Sequence, residues 1–316
     1  MTKPDNTLYI ATESRTPVPV YQWQTENDPK AVIHISHGMA EYGQRYHSLA
    51  RELNEAGFLV YAHDHPGHGY RISLDEEHLK GYFADQHGWS TAVHDLALVV
   101  NNITKDHPGL PCLLLGHSMG SYLLQSYLIN SNPTICGAIL SGSNFIAKPL
   151  LLVARLIAQF EVLRQGEKGN SRLINQLTFA GYNKQFKPNR TDFDWLSRDP
   201  QAVDAYISDP LCGFACTNQL WVDLFGGLQG ICSHAALKNI DADLPILVLG
   251  GGKDPVSAPD RLQKLTSALQ TAGIKDVSLQ LYPDGRHEIF NETNREQVVQ
   301  RLVQWIESIQ TTVSET

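Results

Sequence analysis

Gly116-His117-Ser118-Met119-Gly120 is the stretch of this chain that decides its fold, because it has the pattern G-x-S-x-G in a specific context. An apolar run at residues 111–115 precedes it, and residues 121–128 carry apolar side chains at helical spacing. Because glycine has no Cβ, Gly116 and Gly120 let a strand and a helix approach closely around a sharp turn. A serine at the tip of such a turn has an exposed hydroxyl, so the pattern predicts that Ser118 is a nucleophile.

Length and composition indicate a globular protein with one large domain, or one domain with a sizeable insertion. The chain has 316 residues, of which 42% are hydrophobic and 18% charged, and its formal net charge is −8. The negative charge argues against a nucleic-acid partner. No apolar run approaches the ~20 residues that span a bilayer, and residues 1–6 are too polar to begin a secretory signal. We therefore expect a cytoplasmic protein.

The cysteines and histidines favour neither a disulfide framework nor a metal site. Five cysteines, an odd number, without a secretory signal argue against disulfides. His63, His65 and His68 have the H-x-H-x-x-H spacing of some zinc hydrolases, which leaves a metal site as an alternative. However, Gly67 stands where that motif would have an aspartate, and it suits a tight turn instead. We expect no metal and no organic cofactor.

Strands and helices alternate at both ends of the chain, which predicts an α/β fold with a mostly parallel twisted sheet flanked by helices. The alternation stops between residues 144 and 242. There, helical patterns at residues 148–160, 170–182 and 219–228 are separated by a polar stretch rich in Pro, Asn and Arg. We interpret residues 1–143 as the first part of an α/β core, residues 144–242 as an inserted helical cap, and residues 243–316 as the second part of the core.

A serine hydroxyl needs a base within hydrogen-bond reach, and the base needs an acid that orients it. In an open α/β sheet, reactive groups gather beyond the carboxyl ends of the strands. Asp254 follows a late predicted strand and a glycine turn, and His287 follows the last predicted strand. The chain order predicts a catalytic triad in which His287 is the base and Asp254 is the acid. Asp284 is the competing acid, but it shares a loop with His287 and is poorly placed to reach the far side of the ring.

The tetrahedral intermediate of acyl transfer carries an oxyanion, which two backbone N–H groups normally stabilise. The residue after the nucleophile normally supplies one of them, so we predict the N–H of Met119. The other should follow the strand predicted at residues 31–37, where Gly38 permits a sharp turn. We predict the N–H of Met39 as this second donor of the oxyanion hole; a plain strand-ending turn is the alternative.

With these residues, the chain resembles the monoacylglycerol lipase and lysophospholipase group of the α/β-hydrolases. The matching motifs are His37-Gly38-x-x-Glu41-x-x-x-Arg45-Tyr46, His63-Asp64-His65-Pro66-Gly67-His68-Gly69 and Gly116-His117-Ser118-Met119-Gly120, together with Asp254 and His287. The resemblance implies the α/β-hydrolase fold, a cap over the site with an apolar tunnel for an acyl chain, and Met39 and Met119 as the oxyanion pair. Ala40, Tyr42 and Tyr70-Arg71 depart from the pattern near the expected mouth of the site.

The residues and the resemblance together predict a serine carboxylic-ester hydrolase that cleaves single-chain lipid esters through an acyl-enzyme on Ser118. Monoacylglycerols are the leading substrates, followed by lysophospholipids. A serine peptidase, an acyltransferase and a non-catalytic binder of small ligands are the alternatives. A peptidase would need acids that hold the substrate amine. The cap does carry acidic residues, although aromatic and apolar residues separate them: Asp192, Asp194, Asp199, Asp204 and Asp209.

The helix predicted at residues 148–160 has a broad apolar face. Its apolar residues are Leu151, Leu152, Val153, Leu156, Ile157 and Phe160. This face either lines an acyl pocket or dips into a membrane surface to collect single-chain lipids; plain packing within the cap is the alternative. The second role would place the protein at the inner membrane surface as a peripheral protein.

Overall fold

A computed structural model of the protein describes residues 3–12, 16–72, 79–257 and 260–314. Strands from both ends of the chain form one sheet. The strands are β1 (Asn6–Ile10), β2 (Val18–Trp23), β3 (Ala31–Ser36), β4 (Phe58–His63), β5 (Cys112–His117), β6 (Gly137–Ser141), β7 (Ile246–Gly251) and β8 (Val277–Tyr282). Their order across the eight-stranded sheet is β1-β2-β4-β3-β5-β6-β7-β8.

Most strands of the sheet are parallel. Only the pairs β1–β2 and β2–β4 among the described strands are antiparallel, and every pair from β4 through β8 is parallel. The mostly parallel sheet predicted from the alternation of strands and helices is therefore confirmed. Because parallel strands end at the same edge of a sheet, the residues that follow β3, β5, β7 and β8 meet at one place.

Helices cover both faces of the sheet. They are α1 (His47–Glu55), α2 (Gly88–Asp106), α3 (Met119–Ser131), α4 (Lys148–Gln165), α5 (Arg172–Leu177), α6 (Phe179–Tyr182), α7 (Pro200–Ser208), α8 (Asn218–Ile231), α9 (His234–Leu237), α10 (Arg261–Ala272) and α11 (Arg295–Ser314). Side chains alternate between the faces of a strand, so Leu113 and Leu115 pack with α1 and α11. Leu114 packs with α2, α3 and α10 on the other face.

The segment between β6 and β7 is helical throughout its regular structure. Every residue from 142 to 245 is described, and none of them lies in a strand. The segment holds α4 to α9. The pattern at residues 170–182 is split into α5 and α6, and the polar stretch contains α7. Asp199 begins α7 by accepting the N–H of Gln201, and Pro200 occupies its first turn.

A cluster of buried histidines lies beneath the carboxyl ends of β3 and β4. The cluster consists of His34, His37, His63, His65 and His68, all 0% exposed. A 2.9 Å hydrogen bond joins the rings of His34 and His63, and the ring centroids of His37 and His65 are 4.2 Å apart. Burial lowers the pKa of His34 to about 3 and that of His68 to about 4, and it lowers the pKa values of the other three as well. The described residues contain no group of three or more His, Cys, Asp or Glu side chains arranged to hold a metal ion.

The histidine cluster should make the fold sensitive to acid. The folded protein keeps these rings neutral, whereas the unfolded chain binds protons on them below pH ~6.5. Stability should therefore fall as the pH drops from about 6.5 towards 4, with protons taken up on unfolding. Calorimetry at pH 5 in buffers of different ionisation enthalpy measures this uptake. His68→Leu should take up about one proton fewer on unfolding at pH 5. At that pH His68 is mostly neutral in the folded state, where its pKa is about 4, and mostly protonated in the unfolded chain. Equal uptake in both proteins would contradict the expectation.

Candidate active site

Ser118 occupies a strained turn between β5 and α3. Its φ is 51° and its ψ is −120°, a conformation that costs a non-glycine residue energy. The turn is possible because two glycines flank it. A Cβ on Gly116 would lie 2.6 Å from the carbonyl oxygen of Gly120, and a Cβ on Gly120 would overlap the carbonyl oxygen of Ser36 in β3. Ser118 itself remains partly exposed at the tip of the turn.

Asp254 and His287 form a buried pair at the same edge of the sheet. Asp254 follows β7, His287 follows β8, and their Oδ2 and Nδ1 atoms are 3.0 Å apart. The Asp254 carboxylate also accepts the hydroxyl of Ser257 at 2.6 Å and the backbone N–H of Val256 at 2.9 Å. The competing acid, Asp284, is exposed at the surface. The structure thus brings His287 together with Asp254.

The pair shifts the pKa of each partner. Burial opposes protonation of His287, but the adjacent Asp254 carboxylate outweighs it and raises the pKa of the imidazole. Burial would also raise the pKa of Asp254, yet His287 and the donors from Ser257 and Val256 together lower it. The arrangement therefore favours a carboxylate beside an imidazole that readily takes up a proton.

Ser118, His287 and Met39 line one small cavity. The ring of His117 lies beside that of His287, with centroids 4.8 Å apart, and a Cβ built on Gly38 would be 3.3 Å from the Cβ of Ser118. The loop after β3 therefore approaches the serine closely. Met119 begins α3 directly after Ser118, and its side chain is buried in the core.

A buried ion network holds the loop after β3, and the sequence patterns did not predict its role. Glu41 accepts the N–H of Gly38 at 2.5 Å and the hydroxyl of Tyr46 at 2.8 Å. Arg45 bonds Glu41 at 2.8 Å and Glu288 through two bonds of 2.6 Å. Burial raises the pKa of Glu41, whereas Arg45 outweighs burial at Glu288 and lowers its pKa. The motif H-G-x-x-E-x-x-x-R-Y contains Glu41, Arg45 and Tyr46, but its spacing alone does not show that these side chains bond to one another.

The helical segment between β6 and β7 also contacts the loop after β3. The carbonyl oxygen of Ala40 accepts the hydroxyl of Tyr206 at 3.1 Å and the N–H of Gly213 at 3.0 Å. The guanidinium of Arg45 lies over the ring of Tyr206, 4.7 Å from its centroid. Tyr42, one of the positions that depart from the family pattern, donates its hydroxyl to Asp209 at 2.7 Å. The segment between β6 and β7 thus contacts the site directly.

Comparison with known proteins agrees with this geometry. The model of the family described as serine aminopeptidase, S33, matches residues 27–294. The chain belongs to this family. It is 30% identical to the monoacylglycerol lipase of Mycolicibacterium smegmatis over 90% of this chain and 91% of that protein. It is also 30% identical to the human monoglyceride lipase over 85% of this chain and 79% of that protein.

Solved structures show the same fold. A thermostable carboxyl esterase from Bacillus coagulans superposes with a TM-score of 0.87 at 23% identity, covering 98% of this chain and 99% of that one. A soluble variant of the Saccharomyces cerevisiae monoglyceride lipase gives a TM-score of 0.73 at 21% identity, with coverage of 98% and 96%. The α/β-hydrolase fold predicted from the sequence is confirmed, and family and relatives together identify the chain as a carboxylic-ester hydrolase.

Replacement of Glu41 should disturb the loop that carries Met39. Glu41→Ala removes the acceptor for the Gly38 N–H, and a displaced donor in an active site costs about 10- to 100-fold in rate. We expect this loss in kcat for p-nitrophenyl butyrate, with little change in KM. Glu41→Gln keeps an oxygen that can accept the same N–H and should retain most of the activity. A wild-type kcat in Glu41→Ala would show that the contact does not position the loop.

Proposed function

We propose that this carboxylic-ester hydrolase cleaves single-chain lipid esters by way of an acyl-enzyme on Ser118. The observation that carries the proposal is the buried pair of His287 and Asp254, whose imidazole lines the same cavity as the partly exposed, strained Ser118. Two relatives are named monoacylglycerol lipase and monoglyceride lipase. Monoacylglycerols are therefore the leading substrates, followed by lysophospholipids.

In the proposed mechanism, the Ser118 hydroxyl attacks the ester carbonyl carbon and passes its proton to Nε2 of His287. Asp254 holds the ring by its Nδ1–H and stabilises the imidazolium. The oxyanion accepts hydrogen bonds from the backbone N–H groups of Met39 and Met119. His287 then protonates the leaving alcohol. Water, deprotonated by the same ring, attacks the acyl group on Ser118 and releases the fatty acid.

The surroundings of His287 suit this proton transfer. The neighbouring ring of His117 is also buried, and burial, reinforced by His287, lowers its pKa to about 3. His117 therefore stays neutral when His287 takes up the serine proton, and no like charge opposes the imidazolium. Asp254 is ionised when the proton is transferred, because its pKa is lowered, and its negative charge stabilises the imidazolium of His287.

The helical segment at residues 144–242 would act as a cap that admits the substrate. It supplies apolar or aromatic walls of the cavity: Phe179, Phe193, Trp195, Leu196, Tyr206 and Phe214. The cavity has a volume of only about 40 Å³, room for about three water molecules, since one water needs roughly 10–15 Å³. A long acyl chain does not fit this volume. We therefore propose that the cap moves away from the core when a lipid binds.

The outer face of α4 supports membrane contact. Its apolar side chains are more than half exposed, from Val153 at 53% to Leu163 at 86%. This face consists of Leu150, Leu152, Val153, Leu156, Phe160 and Leu163. The lining of the site cavity includes no residue of α4, so the structure does not support the acyl-pocket role that the sequence allowed for this helix. Among the described residues, no helix is long and apolar enough to span a bilayer. We propose that α4 lies in the membrane interface.

Among the described residues, the lining of the cavity offers the peptidase alternative no free acid for a substrate amine. Glu41 and Glu288 are the carboxylates that line the cavity, and both are bonded to Arg45. An ammonium group would have to compete with a guanidinium that is already in place. In the cap, Asp199 begins α7 and Asp209 accepts the Tyr42 hydroxyl. A neutral ester has no ammonium group and needs no free carboxylate to bind it.

Substitution of the proposed triad should separate its roles. Ser118→Ala should abolish both ester hydrolysis and labelling by a fluorophosphonate. Asp254→Asn should lower kcat about 10⁴-fold, because the ring loses its orientation and its counter-charge. If Ser118→Ala were labelled as strongly as the wild type, Ser118 would not be the nucleophile. Near-normal activity of Asp254→Asn would show that Asp254 is not the acid of the triad.

The pH profile should report the carboxylate beside His287. The base works only when it is neutral, and Asp254 raises the pKa of His287. The acid limb of kcat/KM for p-nitrophenyl butyrate should therefore have its midpoint above about 6.5, the usual histidine value. In Asp254→Asn the residual activity should show this limb at a lower pH. An unchanged midpoint would contradict the assignment.

Removal of apolar side chains from α4 should weaken membrane binding. Leu156 and Phe160 are 55% and 59% exposed, and each loses burial in the lipid when replaced by serine. The variant Leu156→Ser/Phe160→Ser should bind phosphatidylcholine vesicles at least tenfold more weakly in sedimentation. Its kcat/KM for soluble p-nitrophenyl butyrate should not change. Ile207→Ser is the control, because Ile207 is 47% exposed on a different cap helix, α7. Equal binding by all three proteins would contradict membrane contact through α4.

A further inference from the structure

Trp195 is a cap residue that contacts the loop carrying His287. Its carbonyl oxygen accepts the N–H of His287 at 3.4 Å, and the next residue, Leu196, accepts the N–H of Glu288 at 2.8 Å. The backbone N–H of Trp195 is fixed by the side-chain oxygen of Asn183 at 2.9 Å. The side chain is only 4% exposed, and it lines the cavity that contains Ser118. Its position beside the site is therefore well defined.

The indole N–H of Trp195 has no hydrogen-bond partner among the described residues. The rings around it are those of His287, Tyr182 and Phe179, with centroids 5.0, 5.3 and 5.8 Å away. A buried donor without a partner is costly, and native proteins rarely keep one unless a ligand or water satisfies it. Trp195 is the only residue lining this cavity whose buried side-chain nitrogen or oxygen lacks a partner in the described part of the chain.

The chemistry of the reaction says which half of the substrate lies near this indole. His287 must protonate the oxygen of the leaving alcohol, so the alcohol half of the ester lies against the imidazole. Trp195 stacks beside that imidazole, with the two rings inclined by 34°. The indole is therefore a neighbour of the alcohol half. The oxyanion is elsewhere, at the N–H groups proposed for Met39 and Met119.

We infer that the indole N–H of Trp195 donates a hydrogen bond to a free hydroxyl of the alcohol half and makes the enzyme selective for esters of diols and polyols. This inference rests on the proposed function and adds a residue that selects the alcohol. An alcohol half without a hydroxyl leaves the buried donor unpaired, and a site built for a hydroxyl discriminates against such an analogue. Trp195 is a specificity residue that contacts the substrate. The proposed triad carries out the bond-breaking steps.

The test uses two esters that have the same acyl chain and alcohol halves of the same length. In 2-hydroxyethyl octanoate the alcohol half ends in a hydroxyl, and in propyl octanoate it ends in a methyl group. One neutral hydrogen bond corresponds to about 2- to 12-fold in kcat/KM. The wild-type enzyme should prefer the hydroxyethyl ester by at least this factor, with both esters kept below their micellar concentrations.

Trp195→Phe removes the donor and keeps an aromatic ring beside His287. We expect kcat/KM for the hydroxyethyl ester to fall about 2- to 12-fold relative to the propyl ester, so that the preference decreases by that factor. Trp89→Phe is the matched control, because Trp89 is half-buried outside the site and its N–H is already bonded to Ser126 at 3.2 Å. In this control, the ratio of kcat/KM for the hydroxyethyl ester to kcat/KM for the propyl ester should be the same as in the wild type.

The outcomes separate the inference from the proposed function. A Trp195→Phe enzyme that retains the full wild-type preference overturns the inference, and so does an equal loss on both esters, which would indicate a structural role only. If Trp195→Phe does not fold, the wild-type ratio decides: equal kcat/KM for the two esters overturns the inference. Hydrolysis of both esters by the wild type, lost in Ser118→Ala, keeps the proposed function intact in each of these cases. No hydrolysis of either ester by the wild type would overturn both.

Discussion

The close approach of α3 to β3 is the constraint on which the rest of the structure depends. A Cβ at position 120 would overlap the carbonyl oxygen of Ser36, so glycine is required where the two elements meet. This contact brings the turn at Ser118 against the loop that follows β3. It also holds the serine at a positive φ of 51°, a strained conformation that the hydrogen bonds and packing around it must offset. Ser118, the proposed nucleophile, and the loop of Met39, the proposed oxyanion donor, are therefore adjacent because of this close backbone contact.

A second constraint joins loops that are distant in the sequence. Arg45 connects Glu41, which accepts the N–H of Gly38 after β3, with Glu288, which follows His287 after β8. The same guanidinium lies over the ring of Tyr206 in the helical segment. An isolated charge at this depth would be unstable, but three groups with matched hydrogen bonds satisfy one another. One network thus joins the loop after β3, the loop after β8 and the helical segment at residues 144–242.

The cap has two faces with different chemistry. Its inner residues surround the cavity with aromatic rings, among them Phe179 stacked on Trp195 at an interplanar angle of 15°. Its outer helix, α4, turns apolar side chains away from the protein, whereas Leu151 and Ala158 pack inward. An apolar surface of this kind is common at sites of contact with membranes or partners. In the proposed function the cap collects the lipid on its outer face and encloses the reacting ester on its inner face.

Strong local signals let the sequence by itself determine the α/β fold, the turn at Ser118 and the order of serine, acid and histidine along the chain. Short apolar runs and helical spacing are local patterns in the sequence, and glycine spacing reports a backbone that has no room for a Cβ. Tertiary structure alone decided the rest. The network around Arg45 and the unpartnered indole of Trp195 depend on which loops meet at the edge of the sheet, as does the 3.0 Å distance between His287 and the predicted acid Asp254. The contact of Tyr206 in α7 with the carbonyl oxygen of Ala40 likewise joins residues that are distant in the sequence.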